Sequence, residues 1–532
     1  MAVHTAAPHS SSQVLGFKES LLAMLGMCVV VMLVALDQTV VGTALPTIVA
    51  ELKGFELYAW VATSYLLTSV ITIPIFGRLG DYYGRKPFLV GSIVLFTAAS
   101  ALCGVANSMI FLVLGRALQG IGGGMLIGSA YACVPDLFPN PRVRLRWQVM
   151  ISSSFGIANA LGPSLGGFLT QYFGWRSVFY VNLPVGLVSL YAVWRFLPHL
   201  RNWRGDSSIR LDWPGAALIA ASLGCLQLFV EFLPTHGLSP LVVGTGLGSV
   251  CAFYALWRWE SKCSQPLLPV EMLRDPKLAP LFVLAVFVGF SFFSLLFYTP
   301  LLLQGGFGLS PKDAGLLITP LVVCITLGSI ANGRLLPRIP SPNVMLFIGL
   351  SMMAIALLGV VLINRYTPHW CLEVVLITGG VGLGFVMPNL TIFAQQTAGR
   401  EYLGIATGLM QSLRMVGGMI GTALTGSLIT HLYRNNVRNA LTADNASNWV
   451  GHFLDPQILV NRGAQPGLLA QLSGAGFDGG RLLDAARDAL AQSIHISLAL
   501  VMIVCVYAVW HAKRVPPVKL EHRIDPTAVV AE

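Results

Sequence analysis

The sequence predicts an all-α polytopic membrane protein, and three observations carry that assignment. Of its 532 residues 55% are hydrophobic and only 11% charged, with a mean hydropathy of +0.72; soluble domains carry roughly 25% charged residues. Apolar runs of about 20 residues, enough to cross a bilayer as a helix, recur along the chain. Lys and Arg gather in the short polar stretches between these runs, not on one basic face.

Fourteen spans follow, at 22–45, 58–77, 88–106, 109–131, 147–171, 178–198, 213–232, 239–257, 279–303, 311–332, 343–363, 370–391, 403–430 and 491–511. All are predicted as helices, because an open strand in lipid leaves its backbone groups unsatisfied. The first run is too long for a signal-peptide core, contains Asp37 and has no A-x-A pattern behind it, so it is predicted to be retained. With the amino terminus inside, the loops and tails of that side hold 22 Lys and Arg, whereas the short loops opposite hold four: Lys53, Arg176, Lys312 and Arg365. Positive charge marks the cytoplasmic side of a cell membrane, so both tails, 1–21 and 512–532, are predicted to be cytoplasmic.

Other classes are disfavoured. The net charge of +10 lacks the basic face and stacking aromatics that nucleic acid requires. The nine cysteines lie mostly within apolar runs without a C-x-x-C, which suits buried small hydrophobes better than disulfides or zinc. No Gly-Lys pair occurs, so there is no Walker A loop. The one G-x-S-x-G match, Gly162 to Gly166, falls inside an apolar helix and contains Pro163, so it is no nucleophile elbow. No cofactor or metal site is expected, and tails of this length leave no room for a signalling domain.

Weak internal repetition is present. Gly77-Arg78-Leu79 after span 2 returns as Gly333-Arg334-Leu335 after span 10, and the glycine-rich spans 4 and 5 have counterparts in spans 12 and 13. Two six-helix halves are predicted, 22–198 and 279–511, with spans 7 and 8 inserted between them in 199–278. Repeated halves around a midplane site are a transporter architecture. The one large extramembrane segment, 434–490, balances five Asp against five Arg. It reads as a folded external flap or a partner-docking surface, and its Ala- and Leu-rich stretch 467–490 suits an amphipathic helix.

Asp37 is the most informative residue. A carboxylate within a span costs about 2.5–3.5 kcal/mol on insertion scales, and such acids by default face a cavity and serve function. It suits a proton or a cationic group; the plainer reading is a structural ion pair with Arg116, the matching cation in span 4. Arg cannot be neutralised and must pair or face water. Arg414 in span 13 reads equally as functional or as bound to backbone carbonyls. The loop Gly77 to Pro87 holds Asp81, Gly84, Arg85 and Lys86, a density that exceeds a simple positive-inside loop. Gly120, Gly124 and Gly128 in span 4, Gly162 and Gly166 in span 5, and Gly417 and Gly421 in span 13 recur every fourth residue, a ridge that lets helices approach closely. Pro163 adds a point where span 5 can bend.

Together these segments resemble the major facilitator superfamily. Gly77 to Pro87 is similar to its signature between helices 2 and 3. Arg116-Ala117-Leu118-Gln119-Gly120 is similar to the helix 4 motif tied to proton coupling. Gly156 to Gly167, with Gly162-Pro163, resembles the helix 5 motif of the antiporter branches. Leu36-Asp37-Gln38-Thr39, running to Ala44-Leu45-Pro46, resembles the helix 1 signature of the fourteen-helix drug:proton antiporters. Trp175-Arg176 with Asn182 to Gly186, Tyr298 to Gln304 and Gly315 to Pro320 are similar to further stretches of that branch. One departure is that Gly333 to Pro340, the second-half counterpart of the helix 2–3 loop, lacks an acid.

The resemblance implies a major facilitator fold and export of amphipathic, cationic drugs in exchange for protons across the cytoplasmic (inner) membrane. Asp37 and Arg116 would couple protons. Gly77, Asp81, Gly84, Arg85, Gly156, Gly162, Pro163 and Gly166 would gate. Asp37, Gln119, Tyr298, Gln304, Asn389 and Arg414, as polar residues in spans, are the candidates to contact substrate. In a Gram-negative cell a periplasmic adaptor and an outer-membrane channel would be further partners. The principal rival is a dedicated exporter of one metabolite, antibiotic or siderophore; proton symport is disfavoured by the Gly162-Pro163 resemblance.

Overall fold

The computed structural model describes residues 17–138, 141–198, 212–237, 239–263, 266–267, 270–339, 341–398, 403–444 and 446–517. Among them are fourteen long helices and no strand: α1 (Phe17–Leu52), α2 (Tyr58–Tyr83), α3 (Arg85–Gly104), α4 (Met109–Leu137), α5 (Pro141–Phe173), α6 (Asn182–Phe196), α7 (Trp213–His236), α8 (Pro240–Glu260), α9 (Ala279–Leu301), α10 (Pro311–Leu335), α11 (Val344–Leu362), α12 (His369–Ala398), α13 (Leu403–Ala443) and α14 (Gly479–His511). Thirteen of these segments are long and apolar enough to cross a membrane. The remaining one, α5, has the length, but Ser152–Ser154, Asn159, Ser164 and its glycines dilute its apolar character.

The helices follow the apolar runs in order, and the differences lie at their ends. Helix α13 continues to Ala443 and α14 starts at Gly479, so the segment between them is 444–478 rather than 434–490. A helix that leaves the membrane needs only one apolar face. Tyr433, Val437 and Leu441, four residues apart, stay buried while the chain between them turns polar. The helix expected over 467–490 is interrupted. Gln465–Gly474 forms one helix, the chain turns through Gly476 at φ 82°, and Asp478 caps the start of α14.

The repetition has a physical counterpart in the packing. In the first half α4 lies on α2, and a Cβ at Gly120, Gly124 or Gly128 would strike the backbone carbonyl of Tyr65, Ser69 or Ile73. In the second half α12 lies on α10 in the same manner, with Gly380 and Gly384 against the carbonyls of Leu321 and Ile325. Likewise Gly162 and Gly166 bring α5 onto Thr39 and Val40 of α1, and Gly417 and Gly421 bring α13 onto Val286 and Phe290 of α9. Close backbone approach lets hydroxyls bond across: Thr68 and Ser69 of α2 donate to the carbonyls of Ala117 and Gly120 at 2.8 and 2.9 Å.

The halves meet along two seams. One joins α5 to α10, where Gly167 meets Pro311, Gly315 meets Pro163, Ser164 bonds Thr319 and Gly156 faces Thr326. The other joins α2 to α13, where Gly426 lies against Ala59 and Tyr298. Helix α7 packs on both members of this second seam: Gln227 donates to Thr63 of α2 at 3.2 Å, and Ser427 of α13 donates to the Val230 carbonyl at 3.2 Å. Helix α8 lies outside α7 and turns Leu241, Leu247, Val250 and Tyr254 outward. Segment 444–478 covers the end of the bundle that carries the α1–α2 turn, hereafter the flap end. Tyr433 anchors it by donating to the Phe453 carbonyl at 2.7 Å, and Arg434 pairs with Glu56.

A bulky side chain on a ridge should separate two helices. Gly417→Val is expected to lower the detergent-solubilised melting temperature and yield sharply, because the Val286 carbonyl occupies the space its Cβ needs. Gly224→Ala, with nothing within 4 Å, should be neutral or stabilising by up to about 1 kcal/mol. Equal behaviour of the two variants would contradict the ridge packing. The flap should also sense pH. Burial raises the proton affinity of Asp455 above the usual carboxylate range, against an opposing hydrogen bond from the Gln457 amide. An acid with a raised folded-state value stabilises the fold below its unfolded value, and loses that contribution as pH rises through the folded one. Hydrogen exchange of 447–460, corrected for intrinsic rates, should therefore be slower at acid pH, and Asp455→Asn should remove the difference.

Candidate functional site

Asp37 lies past the midpoint of α1 and is 1% exposed. Three donors converge on its carboxylate. Arg116 Nη1 reaches Oδ2 at 2.6 Å, while Gln119 Nε2 and Asn182 Nδ2 both reach Oδ1 at 2.8 Å. Arg116 and Gln119 stand three residues apart on one face of α4, and Nη1 of the first also donates to Oε1 of the second at 2.7 Å. Arg116 Nε donates to the Val61 carbonyl of α2 at 3.2 Å, and its guanidinium lies 4.5 Å from the centre of the Tyr65 ring. Asn182, the first residue of α6, also donates to Ser100 of α3 at 3.0 Å, which in turn donates to the Phe179 carbonyl at 2.9 Å.

The network thus draws on α1, α2, α3, α4 and α6, all in the first half. Asp37 was expected to face a cavity; instead it is sealed, and Arg116, Gln119 and Asn182 are each at most 1% exposed. The ion pair that the sequence offered as the plainer reading is present. A carboxylate that accepts three hydrogen bonds, one of them charge-assisted, is held firmly. Adding a proton cancels the charge that Arg116 answers and turns one acceptor into a donor among donors. Removing one member of a buried pair costs about 3–5 kcal/mol.

The other substrate candidates do not join this cluster. Tyr298 of α9 donates to the Thr422 carbonyl of α13 at 2.7 Å and stacks on Tyr58 of α2 at 5.5 Å. Tyr58 donates to the Phe297 carbonyl at 2.7 Å. Gln304, in the π-turn that ends α9, donates to the Thr43 carbonyl of α1 at 2.8 Å and accepts from Thr47 at 3.1 Å. Both residues therefore tie the halves together toward the flap end. Asn389 of α12 exchanges two hydrogen bonds with Asn332 of α10, at 3.0 and 2.9 Å. Arg414 is half-buried on α13, its backbone against Gly289 of α9.

Among the gating candidates, Gly156, Gly162, Pro163 and Gly166 line the faces of α5 toward α10 and α1. Gly84, at φ 86°, makes the break between α2 and α3, a conformation that favours glycine. Arg85 folds back with its guanidinium 3.4 Å from the Gly77 carbonyl. The side chain of Asp81 lies outside the described residues. Asn182 was not singled out as a site residue from sequence; its signal was an amide at the mouth of an apolar run. Glu231 in α7 was also missed, although it is a lone carboxyl within a span.

A model of the Major Facilitator Superfamily matches residues 27–422. Multidrug resistance protein 3 of Bacillus subtilis is 31% identical over 494 residues, covering 91% of this chain and 93% of that protein. The tetracenomycin C resistance and export protein of Streptomyces glaucescens is 33% identical over 409 residues, covering 76% and 75%. The fold is similar to the crystal structure of a bacterial homologue of the human lysosomal transporter Spinster in an inward-facing, unoccupied conformation, with a TM-score of 0.66 at 16% identity over 96% of this chain and 100% of that one. The family match, the relatives and the two packed six-helix halves agree: the chain belongs to the major facilitator superfamily and is a multi-pass membrane transporter, not an enzyme.

Proposed function

We propose that this transporter is a proton-coupled antiporter that exports amphipathic, cationic compounds across the cytoplasmic membrane, with both termini cytoplasmic. The observation that carries the reading is the sealed network of Asp37 with Arg116, Gln119 and Asn182. An acid enclosed by donors and tied to five helices is a means of converting proton occupancy into helix movement. Helix α1 supplies the link to the seam: Thr43, which accepts Gln304 of the second half, lies six residues beyond Asp37, about 9 Å along the helix. In this reading Tyr58, Tyr298 and Gln304 close the flap end, and protonation of Asp37 frees α1 to shift and release them. The glycine faces of α5 accommodate the sliding, and the loop around Gly84 and Arg85 latches the opposite end. The orientation rests on the 22 against four Lys and Arg. The driving force is adequate, at about 2.3 kcal/mol per charge per 100 mV and roughly 1.4 per pH unit. The name of the Streptomyces relative favours the second reading, export of one antibiotic by the same machinery.

The test is efflux of a cationic dye such as ethidium in everted vesicles energised by a proton gradient. Wild-type transport should collapse with a protonophore, and Asp37→Asn should reduce it by at least about tenfold, equivalent to 1.4 kcal/mol. Transport indifferent to the protonophore would remove proton coupling from the account; transport indifferent to Asp37→Asn would remove Asp37. A neutral antibiotic carried in place of the dye would select the second reading.

A double variant separates coupling from scaffolding. Arg116→Gln alone leaves a buried carboxylate unanswered and should destabilise the protein by about 3–5 kcal/mol. Asp37→Asn combined with Arg116→Gln should recover most of that stability, read as melting temperature, yet remain inactive in proton-driven efflux. Recovery of transport together with stability would mean that the pair only holds the fold.

A further inference from the structure

Glu231 is an acid within a span that takes no part in the network around Asp37. It lies in α7, the first helix of the inserted pair, within a segment otherwise apolar enough to cross a membrane. Its position is fixed from both halves. Gln227, one turn earlier, donates to Thr63 of α2 at 3.2 Å, and Ser427 of α13 approaches the carbonyls of Val230 and Glu231 at 3.2 and 3.4 Å. The carboxyl therefore stands against the α2–α13 seam, toward the flap end. Glu231 is half-buried, and its Oε2 is enclosed without a hydrogen-bond partner.

Among the described residues, the ionisable groups that act on it bring no positive charge. Glu56, at the entry to α2, acts on it electrostatically and is itself paired with Arg434 of α13. Tyr298 of α9 faces it too, but its hydroxyl is given to the Thr422 carbonyl. Asp37 has three donors; Glu231 has a neighbouring acid and an orphaned oxygen. Burying an ionised carboxylate without a partner is far more costly than burying a neutral carboxyl.

We propose that Glu231 is a second proton-binding site, placed at the α2–α13 seam by the inserted helix, that holds its proton while the flap end is closed and releases it when that end opens to water. The inserted pair then belongs to the coupling machinery and not only to the lipid-facing wall. Opening of the seam parts α7 from at least one of its two anchors and hydrates the carboxyl, so proton release and seam opening are one event. The proposal rests on the transport reading above for its role in a cycle, but not for the state of the carboxyl in the closed protein.

Infrared spectra of the full-length protein in lipid test that state without any transported substrate. Wild type minus Glu231→Gln should contain the carbonyl stretch of a protonated carboxyl at neutral pH, shifted in deuterated water. Gln preserves size and so should preserve the fold, which melting curves check. No such difference band would overturn the proposal. The second measurement is the proton-to-dye ratio in energised vesicles. Glu231→Gln should lose one proton per cycle and keep downhill dye exchange; an unchanged ratio would show that the carboxyl takes no part in the cycle and overturn its role. If no dye moves in wild type, the antiport reading fails while the infrared result still decides whether Glu231 is protonated.

Discussion

A fixed positive charge inside a bilayer has to be answered, and Arg116 cannot escape that requirement by losing its proton. The rest of the first half is arranged around the answer. Asp37 comes from α1, a carbonyl from α2, Gln119 from the same face of α4, and Asn182 from the start of α6. The packing that makes this arrangement accessible is backbone-close. The Gly120–Gly124–Gly128 ridge sets α4 onto α2, and Gly162 and Gly166 set α5 onto α1. A larger residue on the α4 ridge would move donors away from the carboxylate by more than a hydrogen bond tolerates, and one on the α5 ridge would press on the helix that carries it. The glycines and the charges are thus one constraint: a polar cluster of this density is stable in lipid only when every member is within reach of its partner.

Helix α1 is shared between that cluster and the seam. Along one helix it carries Asp37, the Gly162 and Gly166 contacts at Thr39, Val40 and Thr43, and the contacts of Thr43 and Thr47 with Gln304. The helix runs unbroken from Asp37 to these contacts, with Pro46 between Thr43 and Thr47, so a single element joins the cluster to Gln304. Tyr58 and Tyr298 form a second tie at the same end, each hydroxyl given to a backbone carbonyl beyond its own helix. These ties are a few neutral hydrogen bonds, each of about 1 kcal/mol net.

The helices, their order and the pairing of halves were legible in the sequence because lipid imposes a simple rule on segment length and composition. The ends of α13 and α14 were not, because outside the bilayer a helix is sustained by one buried face, here Tyr433, Val437 and Leu441, and no long apolar run marks it. Asp37 and Arg116 could be singled out as the costly residues and their ion pair offered as one reading, but with 79 positions between them only the fold decides it. Asn182 was quoted within a motif but not as a site residue, for the opposite reason. An amide costs little to insert, so it raises no alarm, and only the fold reveals that it points at Asp37. Tyr298 and Gln304 were recognised as polar residues in a span, but sequence holds no record of which end of a bundle a side chain closes.

The two halves share their scaffold but not their chemistry. Gly120 rests on Tyr65 as Gly380 rests on Leu321, so Arg116, four residues before the first glycine, corresponds to Leu376, four before the second. Leu376 is fully buried in the apolar core, and the side-chain polar contacts between α10 and α12 among the described residues are neutral, the pair Asn332–Asn389 and Ser329 donating to the Gly384 carbonyl at 3.2 Å. A neutral pair responds neither to pH nor to membrane potential. The repeated backbone therefore supplies two bodies with matching surfaces, and the buried charge pair at this position belongs to the first of them alone.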